Sequence, residues 1–110
     1  MPQFMLVYKG EATDMSELAP DQVQEIMGKW AAWMENIGPA MKDLGNPFGV
    51  SASVVDDGTT GTAGAATGYS VIEADDINAA MSLTNGHPYL SEGKGDYAID
   101  IFELLPAPGM

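Results

Sequence analysis

The sequence predicts an α+β domain, with two helices lying on one face of an antiparallel sheet. Three observations carry that expectation. Apolar runs of strand length stand at residues 4–9, 68–74 and 97–105, set off by glycine, proline and aspartate. A long stretch from Pro20 to Ile37 repeats apolar residues at spacings of three and four. A shorter stretch after Asp75 repeats them in the same way, ahead of the last apolar run.

Residues 4–9 are apolar almost throughout and include aromatic and β-branched members, the signature of a buried strand. Residues 10–19 form a polar connection in which Met15 and Leu18 can fold back onto the core. Pro20 opens the first helix, and Asp21 sits in its first turn, where a carboxylate suits the helix dipole. Val23, Ile26, Met27, Trp30, Trp33, Met34 and Ile37 form one broad stripe, and Gly38-Pro39 ends the helix. Gly28 lets the helix lie close to the sheet. Trp30 is expected in the core; Trp33, near the edge of the stripe, is open between core, dimer contact and pocket wall.

Residues 40–44 read as a short strand broken by Gly45-Asn46-Pro47. The strand resumes over residues 48–55, where Val50, Ala52 and Val54 alternate with serines. Residues 56–67 form a hairpin loop; Asp56-Asp57-Gly58 resembles part of a calcium loop but lacks the remaining ligands. After the strand at 68–74, Asp75 caps the second helix with Asp76 in its first turn. Ile77, Ala80 and Met81 make a narrow apolar stripe, and Asn85-Gly86 ends it. Residues 97–105 are the last strand, and 106–110 a short tail. The order strand, helix, strand, strand, helix, strand is that of a split βαβ, or ferredoxin-like, domain. The last strand is apolar on both faces, so both are expected to be covered: one by helices, the other by a second copy, sheet facing sheet.

With 110 residues the chain makes one domain, small enough for association to help it. Sixteen acidic residues against four lysines give a net charge of −12, with no arginine. That excludes a basic footprint for nucleic acid and argues against an anionic membrane surface or a multiply phosphorylated ligand. The absence of cysteine removes disulfides, thiolate metal sites and thiol nucleophiles. One histidine and no cysteine leave only carboxylates for a metal, and none is expected. No glycine-rich phosphate loop follows the first strand, so no cofactor is expected. No signal core or membrane-spanning run stands out, and the expected address is cytoplasmic.

The candidate site centres on Asn85-Gly86-His87-Pro88-Tyr89-Leu90, which holds the single histidine. Asp100 is a carboxylate on an otherwise apolar face of the last strand, where it needs a partner or a pocket. The pair His87–Asp100 is the expected catalytic element, with His87 as acid or base and Asp100 orienting it. Trp33, Tyr69, Tyr97 and Phe102 are candidate walls of a small-molecule pocket. The alternatives are a non-catalytic small-ligand or stress-type module, in which His87 only hydrogen-bonds the ligand, and a bare structural dimer.

Several segments together resemble the YCII-related proteins. They are the opening Pro2-Gln3-Phe4-Met5-Leu6-Val7-Tyr8, Trp30-Ala31-Ala32-Trp33 with Gly38, Gly45-Asn46-Pro47, residues 68–75, and Gly86-His87-Pro88-Tyr89-Leu90. The resemblance runs almost end to end. It implies a dimeric α+β barrel in which two sheets pack face to face and leave a cavity in each subunit. Some members carry a histidine and an aspartate in that cavity, which implies enzymatic activity, and His87 falls in a segment that lines it.

Overall fold

The structure is a computed structural model that describes residues 1–10, 18–90, 93 and 95–106. In chain order its elements are β1 (Gln3–Lys9), α1 (Pro20–Ile37), β2 (Met41–Asp43), β3 (Ser53–Val54), β4 (Thr60–Gly61), β5 (Ala66–Glu73), α2 (Ile77–Leu83) and β6 (Ala98–Leu104). One-turn 3₁₀ helices stand at Gly38–Ala40 and Pro88–Leu90. The fold is α+β: a four-stranded antiparallel sheet in the order β2-β5-β1-β6, and two helices.

β1 is central because its two neighbours both pair with it along its full length. Side chains alternate across a strand, so register decides which residues share a face. Phe4 stands opposite Ile72, Leu6 opposite Ser70 and Ile101, and Tyr8 opposite Gly68 and Ile99. This is the inner face, and Phe4, Leu6, Tyr8 and Ile72 are buried there with Trp33 and Ile37 of α1 and Ala80 of α2. Met5, Val7, Tyr69, Val71, Asp100 and Phe102 share the outer face.

The first helix begins and ends where the sequence places it. Pro20 is its first residue, the Gln22 side chain accepts from the Ala19 amide at 3.0 Å, and Gly38 ends it at a φ of 53°. The second is capped one residue later than expected. Asp76, not Asp75, accepts from the Ala79 amide at 2.7 Å, because Asp76 holds the extended backbone that a cap requires.

Trp30, expected in the core, is less buried than Trp33, and of the three places open to Trp33 the structure shows the core. Trp33 is the core residue, 2% exposed, and its Nε1–H donates to the Leu83 carbonyl at 2.8 Å, tying α1 to the end of α2. Trp30 is half-buried. Only the C-terminal half of α1 sits down on the sheet, where Trp33 and Ile37 are its buried residues. The earlier part of the apolar stripe overhangs.

Residues 48–55 do not continue the main sheet. Only Ser53–Val54 are extended, and they pair with Thr60–Gly61 in a separate ribbon. Gly45, Pro47 and Gly49 break the run, and Pro47 supplies just an isolated bridge to Gly68. Val50 and Val54 are exposed. The expected hairpin turn is present, closed by Val55 and Thr59 and fixed by the Asp57 carboxylate, which accepts from the Thr59 amide and hydroxyl at 2.9 and 2.7 Å. Those bonds hold the Asp57 carboxyl below its ordinary range. The expected strand at residues 97–105 forms as β6, but its outer face is open within the protomer: Phe102 is 55% exposed. Met15, Ser91, Glu92, Lys94 and the tail beyond Pro106 lie outside the described residues.

Candidate binding cleft and the buried histidine

His87 is brought to the inner face by a chain reversal. The second helix ends at Thr84, Gly86 takes a φ of 81° that favours glycine, and the His87 amide bonds back to the Thr84 carbonyl at 3.0 Å. The imidazole then lies among three rings. Its centroid is 4.3 Å from that of Trp33, 4.5 Å from Trp30 and 5.0 Å from Tyr8. It is 1% exposed.

Both ring nitrogens are committed. Nδ1 accepts from the Tyr89 amide at 3.0 Å, so the proton of the neutral ring is assigned to Nε2. Nε2–H donates to the Tyr8 hydroxyl at 3.3 Å. The Tyr8 hydroxyl donates to Ser70 Oγ at 2.7 Å, and Ser70 donates to the Leu44 carbonyl at 2.6 Å. Each proton in this chain has an acceptor, and the direction of every bond follows from the first. Burial pushes the His87 pKa down to about 4. A second proton on Nδ1 would also face the Tyr89 N–H. Burial likewise pushes the Tyr8 hydroxyl up to about 12, against the lowering effect of its bond to Ser70.

The structure does not bring His87 and Asp100 together. Asp100 pairs across from Val7 and therefore points to the outer face, while His87 lies on the inner face with Tyr8. Asp100 is engaged by Lys9 at 3.3 Å. The sheet itself separates the two residues. Phe102 is on the outer face as well, and Trp33 is core.

Beside the His87 cluster is a cleft of about 640 Å³. The overhanging part of α1 supplies Ile26, Met27, Lys29, Trp30 and Met34. The connection after β2 supplies Leu44, Gly45, Asn46 and Pro47, and the start of β5 supplies Thr67 to Tyr69. Tyr8, Pro88, Tyr89 and Tyr97 complete it. Gly45 is required where it stands: its φ is 74°, and a Cβ there would lie 1.9 Å from the Tyr69 carbonyl oxygen. Tyr8 and Tyr89 stack at 5.1 Å, and Tyr89 meets Tyr97 edge-on at 5.4 Å. Thr67 donates to the Tyr8 carbonyl at 3.2 Å and is bonded by the Tyr89 hydroxyl, so these polar groups satisfy one another. The result is an aromatic-walled cleft of a size that suits a small organic molecule.

Of the expected pocket walls, Tyr69 and Tyr97 line this cleft, whereas Trp33 and Phe102 do not. His87 stands behind Tyr8 and is not among its lining residues. The sequence reading places Tyr89 in its candidate stretch but misses Tyr8, Trp30, Thr67 and Lys29. A signal existed for Tyr8, an aromatic residue one short of the end of the first strand. Among the described residues no group of three or more His, Asp or Glu side chains can hold a metal ion. None of the described helices is long and apolar enough to cross a membrane. No family model matches the chain, and no curated protein matches it.

Proposed function

We propose that this protein is a non-catalytic binding module for a small, largely apolar molecule, which it holds in the cleft beneath α1. One observation carries the reading: the cleft is walled by aromatic and aliphatic side chains, while the single histidine is sealed behind it with both nitrogens bonded. A general base needs a free lone pair within reach of its substrate. His87 has given its lone pair to the Tyr89 amide. Its role is to hold Tyr8 and the Leu44 carbonyl in place, so that the two sides of the cleft are fixed to each other.

The wider frame of the proposal is a homodimer of ferredoxin-like domains, as in the YCII-like α+β barrel. The strand order β2-β5-β1-β6 and the placement of both helices on the inner face support it. So does the outer face, where Met5, Val7, Phe102 and Leu104 form an apolar surface on the adjacent strands β1 and β6.

Titration with naphthalene-2-carboxamide, followed through the two indole N–H signals by NMR, tests the binding role. The Trp30 signal is expected to shift saturably and the Trp33 signal to move less, because its N–H is held by Leu83 away from the cleft. Met34→Trp, which adds an indole to the cleft wall beside Trp30, is expected to weaken binding severalfold. A probe that moves Trp33 first, or that binds the narrowed variant equally well, overturns the reading.

A further inference from the structure

The cleft departs from the chain in its charge. The chain carries 16 acidic residues against 4 basic ones. Yet the described residues that line the cleft include no aspartate or glutamate, and they include one lysine, Lys29. A lining drawn at the chain's average composition would carry carboxylates. Their exclusion leaves Lys29 as the local charge at a cleft whose remaining walls are mostly apolar.

Lys29 is also weakly held. Its ammonium is 3.9 Å from the Glu25 carboxylate one turn earlier, and both side chains are substantially exposed. A pair of that kind contributes little, so the ammonium is available to a better-placed anion. Lys9 and Lys42 are differently occupied, with Asp100 at 3.3 Å and Glu73 at 3.8 Å, and neither lines the cleft. The hydroxyls of Thr67, Tyr89 and Tyr8 are already bonded within the protein. Apart from the Asn46 amide and the hydroxyls of Tyr69 and Tyr97, the remaining lining offers rings and aliphatic groups, and the charged contact lies on α1.

Resting on the binding reading above, we infer that the ligand is an aromatic monoacid, its ring held by Trp30, Tyr89 and Tyr97 and its carboxylate by Lys29. The ring walls favour an aromatic body through edge and face contacts. A single lysine acts as a point charge and suits one carboxylate; doubly charged groups are disfavoured by a chain of net charge −12. Glu25 is displaced from Lys29 when the ligand binds.

The experiment compares naphthalene-2-carboxylate with its neutral isostere naphthalene-2-carboxamide by calorimetry on the full chain. The unaltered protein is expected to prefer the carboxylate by about fivefold, the value of one partly exposed ion pair. Lys29→Gln removes the preference, read as the ratio of carboxylate to carboxamide affinity in the same variant, and Lys29→Arg keeps it. Equal binding of the two probes, a preference for the carboxamide, or a preference that survives Lys29→Gln overturns the inference and leaves the binding role standing. Failure of both probes to bind overturns the binding role and the inference together.

Discussion

The two faces of the central sheet are built from the same strands and have opposite characters. On the inner face Phe4, Leu6 and Ile72 are fully buried. On the outer face Phe102 is 55% and Leu104 39% exposed, although both are as apolar as their inner neighbours Ile99 and Ile101. Hydrophobicity alone does not say which face of a strand is packed; the element laid over it does. The inner face also holds its polar groups in a closed chain from His87 to the Leu44 carbonyl, whereas the outer face uses an ion pair open to water. That contrast predicts unequal responses to substitution.

The largest effect is expected on the inner face. Trp33→Ala removes a buried indole and its bond to Leu83, and should cost about 3–5 kcal/mol in urea unfolding. Phe102→Ala should cost the isolated protomer less than about 1 kcal/mol, because its ring is largely in water. Comparable losses for the two would remove the distinction between the faces.

Next comes the pH dependence carried by His87. Its pKa is about 4 in the folded chain against an ordinary 6.5. Between those values the unfolded chain binds a proton that the folded chain refuses. The contribution is therefore full above pH 6.5 and is lost as pH falls through 4, amounting to roughly 3 kcal/mol. His87→Gln should flatten the stability profile across that window, whatever it does to stability at pH 7. A variant whose profile parallels the parent's would mean that His87 is protonated as easily folded as unfolded.

The outer face should respond in association instead. As the proposed dimer surface, this face should lose self-association at least tenfold by sedimentation when Phe102→Glu places a charge among Met5, Val7 and Leu104. The same substitution should leave thermal unfolding of the protomer nearly unchanged. A well-folded parental monomer at micromolar concentration would remove the dimer.

Much of the fold was legible because it depends on local pattern. The first helix could be read from Pro20, from the spacing of its apolar residues and from Gly38, and β1, β5 and β6 from apolar runs between turns. The site was less legible because it depends on parity between distant strands. Asp100 is turned away from His87 by its register with Val7, and nothing within residues 97–105 reveals that register. The sequence puts Trp30 in the core and leaves Trp33 open for a similar reason. Both belong to one stripe, and only the position at which α1 leaves the sheet decides which is core and which overhangs the cleft. Residues 48–55 alternate as a strand does, but after the break at Gly45-Asn46-Pro47 only Phe48 stays on the edge of β5, its amide bonded to the Thr67 carbonyl, and Ser53–Val54 pair with Thr60–Gly61 instead.

The smallest effect is the one that separates the faces most sharply. Lys9 and Asp100 meet at 3.3 Å with side chains 46% and 40% exposed. An ion pair in that position contributes less than about 1 kcal/mol, so Asp100→Asn should barely alter unfolding. More telling is what it should not alter. His87 is the only histidine, so its ring signals can be followed without assignment ambiguity. The intervening sheet and the low exposure of the imidazole leave Asp100 with no bonded path to it, and the titration should be the same in the variant and the parent. A His87 pKa that moves when Asp100 is neutralised would mean that charge is felt through the sheet, and that the two faces act as one site after all.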